Sequence, residues 1–128
     1  QTLSFEGETG PYVQYTHARA CSVLKKVDNE VELDVDFNLL NDERSLEVIR
    51  TLKKFSEIII SAADKNEPSI ITRYTVDLAQ EFNRFYHDNP IITDDKELTK
   101  ARVLLVDAVR QTIKNGLYLI GLKAPEKM

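Results

Sequence analysis

Residues 101 to 121 read ARVLLVDAVRQTIKNGLYLIG, and the part from Ala101 to Val109 leaves almost no polar face when it is wound as a helix. A helix that is apolar nearly all round is a buried helix, so this stretch predicts the central element of an all-α bundle. Asn115-Gly116 is a common stop signal, but apolar residues continue beyond it. We therefore expect the helix to pass through Gly116, with glycine there for close packing, and to end near Gly121.

Three further helices are predicted from apolar periodicity and cap residues. Only four glycines and four prolines occur among 128 residues, which favours helices over a loop-rich or all-β fold. The expected helices are Pro11 to about Val27; Glu43 to Asp64, capped by Asn41 or Asp42; Pro68 or Ser69 to about His87; and a last helix from a cap at Thr93, Asp94 or Asp95 to about Leu122.

The segment from Asp28 to Phe37 alternates acidic and apolar residues, the period-two pattern of an extended chain with one packed face. No second strand is apparent to pair with it. The expected fold is therefore all-α: an antiparallel bundle of about four main helices with an extended acidic connector lying on them. Residues 11 to 128 form one domain of ordinary size, and residues 1 to 10 are expected to be the end of an upstream linker, so that the chain is a fragment of a longer protein.

Charge is distributed unevenly along the chain, whose formal net charge is -4. This acidity argues against a protein that coats nucleic acid non-specifically, because such binding rests on many phosphate contacts from Lys and Arg. It leaves room for a local basic face. Residues 11 to 27 hold Arg19 and two lysines with no acid, whereas residues 28 to 36 hold five acidic residues and no base.

The first helix separates into two faces at helical spacing. The face expected in the core consists of Val13, His17, Ala20, Leu24 and Val27. The face expected in solvent consists of Tyr12, Tyr15, Arg19, Ser22 and Lys26. Two rings and a guanidinium on one face could stack unpaired bases and meet phosphates. The residues alone equally allow the tyrosines to pack on the acidic connector, with Arg19 paired to one of its carboxylates.

Motifs of a self-contained active site are absent from the sequence: it has no Gly-rich phosphate loop, HExxH, CxxC or GxSxG. His17 is expected to pack in the core, and His87 to complement a helix end. Cys21, with no obvious base nearby, is expected to be a buried apolar group. The lone cysteine and the lack of a signal peptide or an apolar membrane span indicate the cytoplasm.

Three stretches together resemble one family. FEGETGPYVQYTHARACSVLKK at 5 to 26 is similar to the junction between the catalytic and C-terminal parts of arginyl-tRNA synthetases. PSIITRYTVDLAQEFNRFYHDNPI at 68 to 91 is similar to the middle of their anticodon-binding domain, and residues 101 to 128 to its last helix. Asp107-Ala108-Val109-Arg110 matches the Asp-Ala-Leu-Arg tetrapeptide that names this DALR class, with Val109 in place of Leu.

The resemblance implies a helical domain that reads the anticodon arm of arginine tRNA beside the parent chain's catalytic domain. ATP, with magnesium, belongs to that catalytic domain, because HIGH-like and KMSKS-like motifs do not occur here. The parent enzyme is expected to be a class I ligase that attaches arginine to its tRNA. The chain alone is expected to be catalytically inactive, to hold no cofactor and to contact no membrane. The alternative is a helical protein-protein interaction module that uses the Tyr12, Tyr15 and Arg19 face, since aromatic and Arg residues also mark protein interfaces.

Besides the first helix, the resemblance indicates two further sites. One is at the end of the third helix and the other is at the end of the chain. The full set expected to bind tRNA is Tyr12, Tyr15, Arg19, Lys26, Tyr86 and Met128. A half-buried core position is an equally good interpretation of Tyr86. Arg73, Tyr74 and Arg84 are weaker candidates, and Asp107 is expected to pair with Arg110 within its helix.

Overall fold

The computed structural model describes residues 9 to 128; residues 1 to 8, most of the segment predicted as a linker, lie outside the described residues. The described chain contains five α-helices and no strand. The helices are α1 (Gly10–Lys25), α2 (Glu43–Lys53), α3 (Phe55–Lys65), α4 (Ser69–Asp88) and α5 (Lys96–Leu119), with a short 3₁₀ turn at Phe37–Leu39. The prediction of an all-α bundle is confirmed, with five helices instead of about four.

Helix α5 lies in the centre of the bundle, as its composition predicts, and packs against α1, α2 and α4. No residue from Leu98 to Arg110 is exposed. Val106, Val109, Ile113 and Leu117 have no accessible surface at all. Helix α4 shares the central place, because it packs against all four other α-helices and buries Leu78, Phe82 and Phe85 completely.

The predicted second helix, Glu43 to Asp64, is wrong in one respect, since it is broken at Lys54 into α2 and α3. In one continuous helix the Thr51 carbonyl would accept the N–H of Phe55. Here it accepts the Tyr74 hydroxyl of α4 at 2.6 Å and the Lys54 N–H at 3.2 Å. The Phe55 ring then packs on Tyr74, with centroids 5.7 Å apart. The break therefore lets α2 and α3 follow the surface of α4.

The ends of the helices use the expected residue types. Asp42 caps α2 by accepting the Ser45 N–H, and Asp95 caps α5 by accepting the N–H groups of Glu97 and Leu98. Three helices are followed by a left-handed residue whose next N–H bonds a carbonyl five positions back, as in a Schellman motif. These residues are Asp28, Asn66 and Gly121.

The acidic connector contains no strand in the described chain, as predicted, but its packed face is only half formed. Val31 and Val35 are half-buried against the core, whereas Leu33 is 79% exposed and Phe37 61% exposed. A period-two face needs every second residue to meet a surface. Turns at the start of the segment and the 3₁₀ turn at its end bend it away from the straight path that this would require.

Gly116 lies inside α5, where the helix continues past Asn115 as predicted. A Cβ at this position would stand 2.6 Å from Oγ1 of Thr75 on α4. Thr75 is 1% exposed and donates its hydroxyl to the Ile71 carbonyl at 2.7 Å, so it has little freedom to move away. Glycine at 116 therefore sets how closely α4 and α5 approach.

Gly116→Ala should destabilise the chain despite the higher helix propensity of alanine. Overpacking costs about 1 to 3 kcal/mol, and the propensity gain offsets about 1 kcal/mol of it. We expect a net loss of up to about 2 kcal/mol in the free energy of unfolding, measured by urea titration.

A double-mutant cycle with Thr75→Ala isolates the contact. Removing the Thr75 hydroxyl and methyl groups should make Gly116→Ala less costly by about 1 kcal/mol or more. Equal costs in the two backgrounds would contradict the assignment of Gly116 to the α4–α5 contact.

Candidate nucleic-acid interface

The two predicted faces of α1 are confirmed by burial. Val13, His17, Ala20 and Leu24 are buried, and Val27, just beyond the helix, is half-buried against the core. All five residues of the other face are exposed, including Tyr12 at 37% and Tyr15 at 59%. Burial of one arc on α4 and α5 leaves the other arc pointing to solvent, so the tyrosines and Arg19 form a continuous exposed surface.

Asn83 of α4 ties this surface together, a role that the sequence did not reveal. Its carbonyl oxygen accepts from Nη1 of Arg19 at 2.6 Å. Its amide donates to the Tyr12 hydroxyl at 3.0 Å and to the Thr16 hydroxyl at 2.9 Å. The Asn83 amide thus fixes a guanidinium and a phenol of the neighbouring helix. The only sequence signal for this role is the position of Asn83 between Phe82 and Phe85 on α4.

Tyr86 is half-buried beside the same surface. Its ring stacks on Phe82 with centroids 6.1 Å apart, and the Arg19 guanidinium lies 4.9 Å from its centroid. A guanidinium at this distance from an aromatic ring is held by a cation–π attraction. Arg19 is therefore held from two sides, by Asn83 and by Tyr86. Within residues 9 to 128 no carboxylate pairs with it, so the predicted alternative of a connector ion pair is not found there.

The tail from Lys123 to Met128 returns along α1. Gly121, with a φ of 83°, turns the chain at the end of α5. Nε2 of Gln14 then donates to the Lys123 carbonyl at 2.9 Å, and Nδ1 of His17 donates to the Pro125 carbonyl at 2.7 Å. This path carries Met128, 58% exposed, to the exposed face of α1.

These elements enclose a concavity of about 380 Å³ on the outside of α1 and α4. It contains an aromatic, a cationic and a thioether group, and no acidic residue lines it. The lining residues are Tyr12, Tyr15, Thr16, Ala18, Arg19, Ser22, Asn83, Lys127 and Met128. Four of the six predicted tRNA-binding residues are therefore brought together here.

The other two predicted residues, Lys26 and Tyr86, line a smaller neighbouring concavity of about 280 Å³. Its remaining walls are mostly apolar and come from α1 and the turn after α4. They consist of Val23, Asn89, Pro90, Ile91 and Ile92. Arg19, which covers Tyr86 and lines the larger concavity, connects the two.

The weaker candidates on α4 line neither of these concavities, although Arg84 shares a third hollow with Tyr12 and Asn83. Tyr74 is 5% exposed, burial raises the pKa of its phenol, and its hydroxyl is occupied by the Thr51 carbonyl. The expectation that Tyr74 offers a ring to RNA is therefore wrong. Arg73 faces a separate hollow between α2, α3 and α4, and Arg84 pairs with Glu81 at 2.9 Å.

The remaining polar residues singled out by sequence line neither concavity. Arg110 donates twice to Oδ1 of Asp107, at 3.1 and 2.8 Å, so the predicted intrahelical pair is confirmed. His87 is exposed near the end of α4 beside Asp88. Cys21 is buried as predicted, but a base is close after all, since His17 Nδ1 lies 3.8 Å from its sulfur. Burial raises the pKa of the Cys21 thiol, which keeps it protonated and unreactive.

Metal and membrane sites are not found in the part of the chain that the structure covers. No group of three or more His, Cys, Asp or Glu residues between 9 and 128 is arranged to hold a metal ion. Over the same residues, every helix is too short or too polar to traverse a bilayer.

Comparison with known proteins gives consistent matches over this chain. Residues 13–128 match the family model described as the DALR anticodon binding domain. The arginine–tRNA ligase of Clostridioides difficile (strain 630) is 57% identical over 128 residues, which make up 100% of this chain and 23% of that protein. That of Alkaliphilus metalliredigens (strain QYMF) is 56% identical over 126 residues, 98% of this chain and 22% of that protein.

A solved structure matches the fold as well. The arginyl-tRNA synthetase of Thermus thermophilus superposes with a TM-score of 0.85 at 35% identity, covering 98% of this chain and 22% of that one. The chain thus spans less than a quarter of the length of the relatives that it matches.

The buried His17 predicts how stability changes with pH. Burial is the main cause that lowers its pKa from the ordinary 6.5, and Arg110 and Lys114 lower it further, against the opposing Pro125 carbonyl and Glu126. The unfolded chain therefore binds a proton at a higher pH than the folded chain does. The stability that the neutral His17 contributes is complete well above pH 6.5 and is lost as pH falls through 6.5. We expect the free energy of unfolding, from urea titrations, to fall between about pH 7.5 and about pH 5.5, by at most about 1.4 kcal/mol per pH unit.

His87→Gln removes the other histidine of the sequence, so that the profile of this variant reports on His17 as the remaining imidazole. His17→Gln should flatten the profile. A flat profile in the unaltered chain would show that His17 does not resist protonation in the fold.

Proposed function

The chain belongs to the DALR anticodon binding domain family, and from this premise we propose that it binds the anticodon arm of arginine tRNA as part of an arginine–tRNA ligase. The observation that carries the proposal is the larger concavity, which joins Tyr12, Tyr15, Arg19 and Met128 without an acidic residue in its walls. An anionic, base-bearing ligand suits such a surface better than a protein partner, because a protein partner needs no excess of positive charge.

Tyr15 is the proposed stacking platform. It is the most exposed tyrosine of the concavity, and unpaired bases stack on such rings with about 1 to 3 kcal/mol each. Tyr12 is held by Asn83 through its hydroxyl, which fixes its ring beside the first. Two fixed rings on one helix suit the splayed bases of an anticodon loop better than a paired stem, whose bases are already stacked.

Arg19 is proposed to meet a phosphate or a base edge. One of its five N–H donors is used by Asn83, and its plane is steadied by Tyr86, so the remaining donors are oriented before RNA arrives. A side chain fixed in advance loses less conformational entropy on binding. Lys127 adds a second cation to the same walls.

The neighbouring concavity of Lys26 and Tyr86 is proposed to take the adjoining nucleotide. Lys26 would meet its phosphate, and the apolar wall beside Tyr86 would contact its base or sugar. Met128 is proposed to cover a base in the larger concavity with its thioether, a polarizable group that adapts to flat rings. All six residues of the predicted set therefore have a place in the proposed interface.

The chemistry is proposed to lie in the rest of the parent chain. The relatives named above are arginine–tRNA ligases more than four times as long as this chain. We propose that their kind of catalytic domain, using ATP and magnesium, attaches arginine to tRNA in the cytoplasm, while this domain supplies recognition and no catalytic residue.

Arg19→Ala should weaken binding of an arginine-tRNA anticodon stem-loop to this chain by about tenfold or more, because charge-assisted contacts are among the stronger ones. The slope of log K against log salt should become shallower by about one unit. Tyr15→Ala should weaken binding by about 1 to 3 kcal/mol, whereas Tyr15→Phe, which keeps the ring, should not. Fluorescence anisotropy at two or more salt concentrations measures all three.

Arg50→Ala is the matched control, since Arg50 lies on α2 with Glu47 and Glu43 and outside the interface. It should leave affinity unchanged. Equal binding of an unrelated stem-loop, unaffected by Arg19→Ala and Tyr15→Ala, would overturn the proposal and leave the protein-partner alternative.

A further inference from the structure

We propose that Gln14 and His17 are positioning residues for RNA: they hold the tail, residues 123 to 128, in place as one wall of the larger concavity. The inference rests on the proposed function and adds a dependence of RNA affinity on two side chains that do not touch the site. Neither Gln14 nor His17 lines the concavity, yet both bond the segment that carries Lys127 and Met128 into it.

The path of the tail is set by few contacts. Its last backbone bond to α5 among the described residues is from the Leu122 N–H to the Leu117 carbonyl, at 2.8 Å. Leu122 and Ala124 pack half-buried on the core. In addition to this packing, two side-chain hydrogen bonds hold the tail among the described residues. They are the Gln14 bond to the Lys123 carbonyl and the His17 bond to the Pro125 carbonyl.

The two ties differ in their surroundings. His17 is 2% exposed, so its bond to Pro125 is shielded from water, and breaking it would leave a buried N–H unpaired. Because a carbonyl can only accept, Nδ1 carries the proton of the neutral ring. Gln14 is half-buried at the surface and can be changed without opening the core. Gln14 is therefore the position at which the tail can be loosened while the fold is kept.

Lys127 and Met128 reach the exposed face of α1 only because the tail doubles back along that helix. An untethered chain end samples many conformations, and ordering it on binding costs free energy. The two bonds already order the tail when the chain folds, so RNA binding has to supply less of that free energy. RNA then meets a cation and a thioether already in place, and affinity should depend on how firmly the tail is held.

Gln14→Ala should weaken binding of the arginine-tRNA anticodon stem-loop by about 3- to 10-fold, the worth of one net hydrogen bond. The midpoint of thermal unfolding should fall by only about 2 to 6 °C, because the bond lies at the surface and outside the core. Met128 is the only methionine in the sequence, so a chain labelled at the methionine methyl gives one reporter signal. That signal should sharpen in Gln14→Ala as the tail becomes mobile.

A cycle with a truncated chain separates positioning from general damage. A chain that ends at Glu126 keeps both bonds and lacks the lining residues Lys127 and Met128. It should bind more weakly than the full chain, and Gln14→Ala should change its affinity no further. Gln111→Ala is the control for loss of a helix-surface glutamine, because Gln111 bonds only Asp107 of its own helix. It should alter neither affinity nor the methyl signal.

The possible results test the inference separately from the proposed function. An equal effect of Gln14→Ala in full and truncated chains, or a mobile Met128 signal with unchanged affinity, overturns the inference and leaves the proposed function standing. If neither the unaltered chain nor Arg19→Ala binds the arginine-tRNA anticodon stem-loop, the proposed function is overturned and the inference with it.

Discussion

The constraint on which the rest of the structure depends is that the middle of α5, from Leu98 to Arg110, exposes no residue and has to be covered from several sides. Its middle can be covered only if other helices pack on several sides of it, and α1, α2 and α4 do so. Close approach of α4 is possible because position 116 has no side chain opposite Thr75. Once α1 and α4 both lie on α5, they are neighbours, and Asn83 of one can reach Arg19 and Tyr12 of the other. The proposed RNA surface is thus a by-product of how the core is covered.

Local periodicity allowed the sequence to predict helices and faces, but not polar bonds between distant segments. The two arcs of α1 and the continuous course of α5 through Gly116 depend on spacing within one helix, and both were correct. The break at Lys54 depends on a tyrosine hydroxyl 23 positions away along the chain, and no pattern within residues 43 to 64 signals it. The same holds for Asn83, and for the bonds of Gln14 and His17 to carbonyls 109 and 108 positions away. The candidate residues could be named from sequence and resemblance, whereas what holds them could not.

Net charge and local charge play different parts in this protein. The chain as a whole is acidic, and five of its acidic residues follow α1 directly. They lie on a connector whose valines turn toward the core, and none of them lines either concavity. The acidic block therefore leaves the cations of the interface unneutralised.

The connector has a further consequence for how related chains can differ. Between Asn29 and Asp36 it contributes only Val31 and Val35 to the core, with Leu33 turned out to solvent. Its ends are fixed independently, by the left-handed turn at Asp28 and by the 3₁₀ turn that precedes α2. The entropy of closing a loop grows only slowly with its length. Residues could therefore be added to this segment at small thermodynamic cost, without moving the surface that α1 and α4 share.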